Sequence, residues 1–167
     1  MPRRRPDDDD DGFASFAAGA APRLGRTARL LTADRHLAED LVQATLVAVY
    51  LRWRRVAAMD APHAYAQRVL YTTFCSWRGR RWSAERPTAV LPEREAPDPF
   101  AGSETGAVDA ALARLPRRQR AVVVARFYED LSVEQTAALL GCSTGTVKAH
   151  TARAMATLRA VLGEARV

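Results

Sequence analysis

The sequence predicts an all-α protein of two small helical domains, an N-terminal helical bundle and a C-terminal helix-turn-helix, joined by a flexible linker. Three observations predict it. The 48% hydrophobic content of the 167 residues is dominated by alanine and leucine, which favour helices over a sheet of any size. Apolar positions recur at three- and four-residue spacings in two separate stretches of the chain. Between those stretches, residues Ser83 to Thr105 hold Pro87, Pro92, Pro97 and Pro99 among scattered acids, the composition of an extended tether.

Formal charge follows the same division: −2 over residues 1–12, +7 over 13–82, −3 over 83–105 and +4 over 106–167. Residues 1–12, with Arg3 to Arg5 followed by Asp7 to Asp11, have nothing to bury and are expected as a disordered tail. The net charge of +6 comes from arginines set against a single lysine, Lys148, and points to a polyanionic partner.

In the first module, residues 13–82, Phe13, Phe16, Ala20, Leu24, Leu30 and Leu31 mark an irregular helical stretch that Pro22 is expected to interrupt. Asp34 can cap the helix that follows, from about Arg35 to Arg55. Val42, Leu46, Val49 and Trp53 recur there on one stripe, which is expected in the core. Asp60-Ala-Pro62 is a start signal for a second helix with Ala66, Val69, Leu70, Thr73, Phe74 and Trp77 inside. The module is expected to be a bundle of three or four helices.

The second module, residues 106–167, opens with a helix around Val108 to Leu115, and Pro116 starts another that runs to about Tyr128. Ser132 and Gln135 match the capping-box pattern at the head of a short helix ending at Gly141. A final helix then carries Val147, Thr151, Ala154, Leu158 and Leu162 inward.

Several function classes are disfavoured. Cys75 and Cys142 lie far from each other and from ligand spacing with His36, His63 and His150, so neither zinc nor a disulfide framework is indicated, and a reducing cytoplasm fits. No apolar run approaches the roughly 20 residues of a membrane span, and the first residues lack the apolar core of a signal peptide. No carboxylate cluster at metal spacing, phosphate-cradling glycine loop or Ser/His/Asp arrangement stands out, so no enzyme activity and no cofactor are expected.

Two surfaces carry chemistry instead. Short helix, glycine-containing turn and second amphipathic helix together describe a helix-turn-helix from Ser132 to about Val161. The outer face of its second helix presents Thr146, Lys148, Ala149, His150, Ala152 and Arg153 in the half that meets base edges in such motifs. Arg153 suits guanine N7 and O6, Lys148 the same atoms or a phosphate, and the alanines permit close approach. In the first module, the expected outer face of the Asp60 to Trp82 helix alternates Gln67, Arg68, Tyr71, Thr72, Cys75 and Arg78, followed by Arg80, Arg81 and Trp82. Arginines interleaved with aromatics suit single-stranded DNA, because guanidinium groups neutralise phosphates while rings stack on unpaired bases.

From about Phe13 to Leu162 these residues resemble the extracytoplasmic-function (ECF) sigma factors of RNA polymerase, in particular the short actinobacterial type. His36-Leu-Ala-Glu-Asp-Leu-Val-Gln43 with Trp53 is similar to the family's region two, whose helix docks on the clamp of the polymerase β′ subunit. The resemblance implies polymerase contacts by Glu39, Asp40, Leu41, Gln43 and Trp53, with the β flap as a further contact of the core enzyme. Arg68-Val-Leu-Tyr-Thr-Thr-Phe-Cys-Ser-Trp-Arg78 is similar to the helix that reads the −10 element, which implies −10 roles for Arg68, Tyr71, Thr72 and Arg78. Leu115-Pro-Arg-Arg-Gln-Arg120, Leu131 to Ala137 and Gly141 to Lys148 resemble region four, which reads the −35 element. Thr72 stands where many members have asparagine, and Ala44 where a glutamate is usual. An anti-sigma partner is plausible on the same resemblance. The competing reading is a stand-alone helix-turn-helix regulator that acts without polymerase.

Overall fold

Phe16, Ala20, Leu24, Ala28 and Leu31 share one side of a helix, and all five are buried. They lie on α1, Pro6–Thr32, the first element of the computed structural model, which describes residues 6–77 and 104–164. Two expectations are corrected here. Residues 6–12 form the first turns of α1 rather than a tail without structure, held by Asp9 on Arg54 and Asp10 on Tyr50. Pro22 does not interrupt the helix. An interior proline costs about 3 kcal/mol. Pro22 and Ala18, whose carbonyl loses its amide partner, are both exposed, so the orphaned oxygen lies on the side of the helix open to solvent while the buried stripe keeps the helix continuous.

Asp34 caps α2, Arg35–Tyr50, its carboxylate accepting from the Leu37 amide at 3.0 Å. This helix is shorter than the sequence suggests, and a separate turn, α3, Trp53–Ala57, follows it. The buried stripe of α2 is Ala38, Leu41, Thr45 and Val49, with Val42, Leu46 and Trp53 only half-buried at its edge. After the Asp60-Ala-Pro62 start comes α4, Pro62–Ser76, which buries Ala66, Gln67, Leu70, Tyr71 and Phe74.

In the C-terminal half, α5 spans Glu104–Ala113 and α6 spans Arg117–Val123, the latter extended by a π-helical turn over Val124–Tyr128. The capping box forms as expected at α7, Val133–Leu140: the Ser132 hydroxyl accepts from the Gln135 amide at 3.0 Å, and the Gln135 side chain accepts from the Ser132 amide at 2.8 Å. Gly141 ends α7 at φ 64°, a left-handed conformation that glycine adopts without strain. The last helix, α8, Thr144–Glu164, buries Val147 and Ala154, whereas Leu162 is exposed. Among the described residues there is no strand.

The two helical halves pack directly on each other. Ala121, Val124 and Ala125 from α6 and its π turn join one apolar cluster with the buried faces of α1, α2 and α4. Two smaller clusters, one around Leu112, Leu115, Val123 and Ala154 and one around Val122, Ala137 and Val147, bind the C-terminal helices together. Of the tether expected over residues 83–105, residues 83–103 lie outside the described residues, as do Arg78, Arg80, Arg81 and Trp82, whereas residues 104 and 105 are corrected to the start of α5.

Candidate nucleic-acid interface

The helix-turn-helix is built from its caps outward. Gly141 turns the chain, and the Ser143 hydroxyl then accepts from the Thr146 amide at 3.1 Å, starting α8 at a defined angle to α7. Val147 and Ala154 point inward, and this fixes the opposite face: Lys148, Ala149, Ala152 and Arg153 are all exposed there. Arg159 continues the same stripe one turn beyond Ala156, and sequence reading missed it. Two expected members sit differently. The Thr146 hydroxyl is 2.9 Å from that of Ser143 and is half-buried. His150 is also half-buried rather than outward: its Nδ1 is buried with no hydrogen-bond partner among the described residues. Burial first, then the nearby Arg153 and Arg118, hold its imidazole below the usual histidine range, so it is neutral at neutral pH. Arg118, exposed beside it on α6, is a second cation that periodicity on α8 alone does not reveal.

On α4, Arg68 and Thr72 are exposed as expected. Gln67 and Tyr71 are not: the C-terminal helices cover them, and Cys75 is half-buried in the same seam. The expected outward role of Tyr71 is thus corrected for this packed arrangement, in which its ring is fully buried. Burial and then the Glu129 carboxylate push its phenol far above the usual range, and its hydroxyl has no hydrogen-bond partner among the described residues.

Glu129 is the polar centre of the seam. The chain turns at Asp130, φ 56°, just after the π turn, and the Glu129 carboxylate accepts from Arg23 at 2.9 Å and Thr27 at 2.5 Å on α1 and from Gln67 at 2.5 Å on α4. Its side chain is 5% exposed. A second tie is the Arg120 guanidinium, which donates to the Leu31 carbonyl at 2.8 Å and to those of Ala113 and Leu115. Burial, with Arg117 adjacent, lowers Arg120 from its ordinary value. Arg117 donates to the Trp77 carbonyl and lies 5.7 Å from the Phe74 ring centre.

Of the residues expected to meet the polymerase, Glu39, Asp40 and Gln43 are exposed along α2. Leu41 is corrected: at 0% exposure it is a core residue, one position away from the exposed face. Trp53 is half-buried against Phe13 and Phe16, with ring centres 5.5 and 5.0 Å away. Val47, Tyr50 and Leu51 extend the exposed side of α2 with large apolar groups that the sequence reading did not single out. Among the described residues no cluster of histidine, cysteine and carboxylate side chains is arranged to hold a metal ion, and no helix is long and apolar enough to cross a membrane.

The sigma-70 region 4 family profile matches residues 105–158, the segment that holds the helix-turn-helix. The RNA polymerase sigma-E factor of Streptomyces avermitilis is 39% identical over 152 residues, covering 88% of this chain and 83% of that protein. The chain belongs to the ECF RNA polymerase sigma factors. The sigma-E factor of Streptomyces coelicolor is 38% identical over the same length, and the ECF sigma factor SigM of Mycobacterium tuberculosis is 36% identical over 143 residues, covering 84% of this sigma factor and 72% of its own length. Two solved structures share its fold. The sigma factor RpoE in complex with the anti-sigma factor NepR from Bartonella quintana superposes with a TM-score of 0.68 at 24% identity, covering 91% of this chain and 97% of that one. CnrH in complex with the cytosolic domain of CnrY gives a TM-score of 0.62, also at 24% identity, with 93% and 90% covered. As an RNA polymerase sigma factor the protein acts in transcription initiation, as a regulatory subunit rather than a catalytic one.

Proposed function

We propose that this sigma factor divides promoter reading between its two helical units, α8 reading the −35 element and α4 the −10 element, while the exposed side of α2 holds the polymerase. The observation that carries the proposal is the α8 stripe. Lys148, Ala149, Ala152 and Arg153 are exposed together in the first half of a helix whose start is set by Gly141 and Ser143. Arg153 makes the bidentate contact to guanine N7 and O6, Lys148 reaches a base or phosphate, and the alanines let the helix approach the groove floor. Thr146, whose hydroxyl is engaged by Ser143 at the helix start, and His150, whose Nδ1 is buried, support the helix rather than read bases.

On α4, Arg68 and Thr72 are free to meet unpaired −10 bases, with Arg78 following outside the described residues. Tyr71 joins them only when the C-terminal helices lift off, so −10 reading requires the two halves to part. The packed arrangement is then a resting state, and residues 83–103 are the tether that lets residues 13–82 and 104–167 act as separate domains on one promoter. Glu39, Asp40, Gln43 and Trp53 contact the β′ clamp, the C-terminal unit meets the β flap, and all reaction chemistry stays with the core enzyme in the cytoplasm. An anti-sigma factor is a fitting regulator, since one structural neighbour is a sigma factor in complex with the anti-sigma factor NepR.

In vitro transcription with core polymerase tests the reading. Arg153→Ala is expected to weaken promoter binding by about 1 to 3 kcal/mol and to relax selectivity at one −35 position. An equal loss on every −35 sequence assigns Arg153 to a phosphate and removes its base-reading role.

A further inference from the structure

The acidic first turns of α1 have no part in promoter reading as proposed above, yet they are seated on a specific surface. Gly12 passes against the Trp53 indole, where an added Cβ would lie 3.6 Å from Nε1, and Phe13 packs edge-on against Tyr50 and Trp53 at 5.0 and 5.5 Å between ring centres. This anchors the preceding aspartates over the corner between α2 and α3. There Asp9 accepts from Arg54 Nε at 2.8 Å, and Asp10 accepts from the Tyr50 hydroxyl at 3.0 Å. Arg52, Arg54 and Arg55 are three exposed arginines within four positions of chain, beside Tyr50, which is 48% exposed. Asp9, Asp10 and these arginines line one groove.

We propose that this acidic segment is an intramolecular competitor for a polyanion-binding patch at Tyr50, Arg52, Arg54 and Arg55, and that the occupant it keeps off is single-stranded DNA. Carboxylates on a guanidinium and on a phenol take the two contacts that backbone phosphates make with such side chains. Exposed arginines interleaved with an accessible ring are the equipment for tracking a single strand, by charge on the backbone and by stacking on bases. The competition is reversible by construction. Arg54 is 76% exposed, so its ion pair with Asp9 is screened by solvent and readily exchanged. A strand that engages several arginines and releases counterions displaces it, whereas brief contacts with stray nucleic acid do not. The patch lies outside the −10 and −35 residues assigned above, and the inference takes from that reading only the chemical class of the polyanion.

The test uses the full chain without polymerase and a short fluorescein-labelled oligothymidylate, with binding followed by anisotropy across a salt series. Asp9→Asn together with Asp10→Asn is expected to tighten binding by about threefold to tenfold at low salt, the loss of two exposed contacts. The log–log salt slope should steepen by about 0.7 as one more arginine meets a phosphate. Two comparisons separate this from a general change in net charge. Glu134→Gln with Glu164→Gln, exposed acids on the C-terminal helices, alters the charge equally and is expected to leave binding within twofold of the parent. Arg54→Ala is expected to abolish the gain from the asparagine pair. Equal tightening by both acid pairs, or a gain that survives Arg54→Ala, overturns the proposal. So does a gain seen with core polymerase and not with the oligonucleotide. Duplex −35 binding through Arg153 is read separately and is indifferent to the result.

Discussion

At His150 a single side chain links the fold of the C-terminal half to pH. Its half-buried imidazole, crowded by Arg153 and Arg118, is held below the usual histidine range, whereas the unfolded chain binds a proton near the ordinary value of 6.5. As the pH falls below about 6.5, the unfolded state therefore takes up a proton before the folded state does, and the folded state loses stability. Above that pH the contribution is fully present. Urea midpoints between pH 8 and pH 5 are expected to fall more steeply for the parent than for His150→Gln, which keeps a polar group but cannot titrate. Parallel curves would place the titration elsewhere. The same residue shows the limit of local reading: helical spacing put His150 on the outer face, and only the packing of α6, which brings Arg118 alongside, turns it inward.

At the scale of elements, what depended on neighbours in sequence was legible and what depended on neighbours in space was not. The Asp34 cap, the Pro62 start, the Ser132 and Gln135 capping box and the Gly141 stop all form where the chain's local chemistry puts them. The exposed stripe of Lys148, Ala149, Ala152 and Arg153 was legible for the same reason, because one helix's inward residues determine its outward ones. The inner stripe of α2 was misjudged by a small rotation. Ala38 and Thr45, too small and too polar to be picked by hydropathy, are buried because they let α1 approach closely, and this carries Leu41 inside with them. Pro22 misled in the other direction, since its cost is local and its compensation is the whole buried face of α1. Pro22→Ala restores an amide donor to the Ala18 carbonyl with no change to the core. It is expected to stabilise the chain by about 1 to 3 kcal/mol in urea unfolding. No gain would mean that α1 has already relaxed around the proline at no cost.

Across the whole molecule, the seam between the two halves is apolar at its base and polar at one point. Ala121, Val124 and Ala125 bury against α1 and α4, and such packing alone tolerates sliding. Glu129 gives the seam a register, because its carboxylate meets Arg23, Thr27 and Gln67 at once, and any displacement leaves buried polar groups unpaired. Cys75 reports on this contact from within the same face of α4. Burial raises its thiol above the ordinary value, although Arg118 and Arg117 of the opposite half oppose the shift, so its reaction with a thiol reagent is slow while the halves are packed. Glu129→Ala removes the acceptor shared by the Gln67 amide and the Thr27 hydroxyl, leaves those two groups only the 3.1 Å bond that Gln67 donates to Thr27, and shifts the balance toward parted halves by about 1 to 3 kcal/mol. In a Cys142→Ser background, which leaves one described thiol, Cys75 labelling is expected to accelerate about tenfold on that substitution, with helix content by circular dichroism unchanged. Faster labelling with loss of helix would mean that Glu129 holds the fold itself. An unchanged rate would mean that the apolar base of the seam suffices, and the opening needed to expose Tyr71 to a promoter would then have to be driven by the polymerase alone.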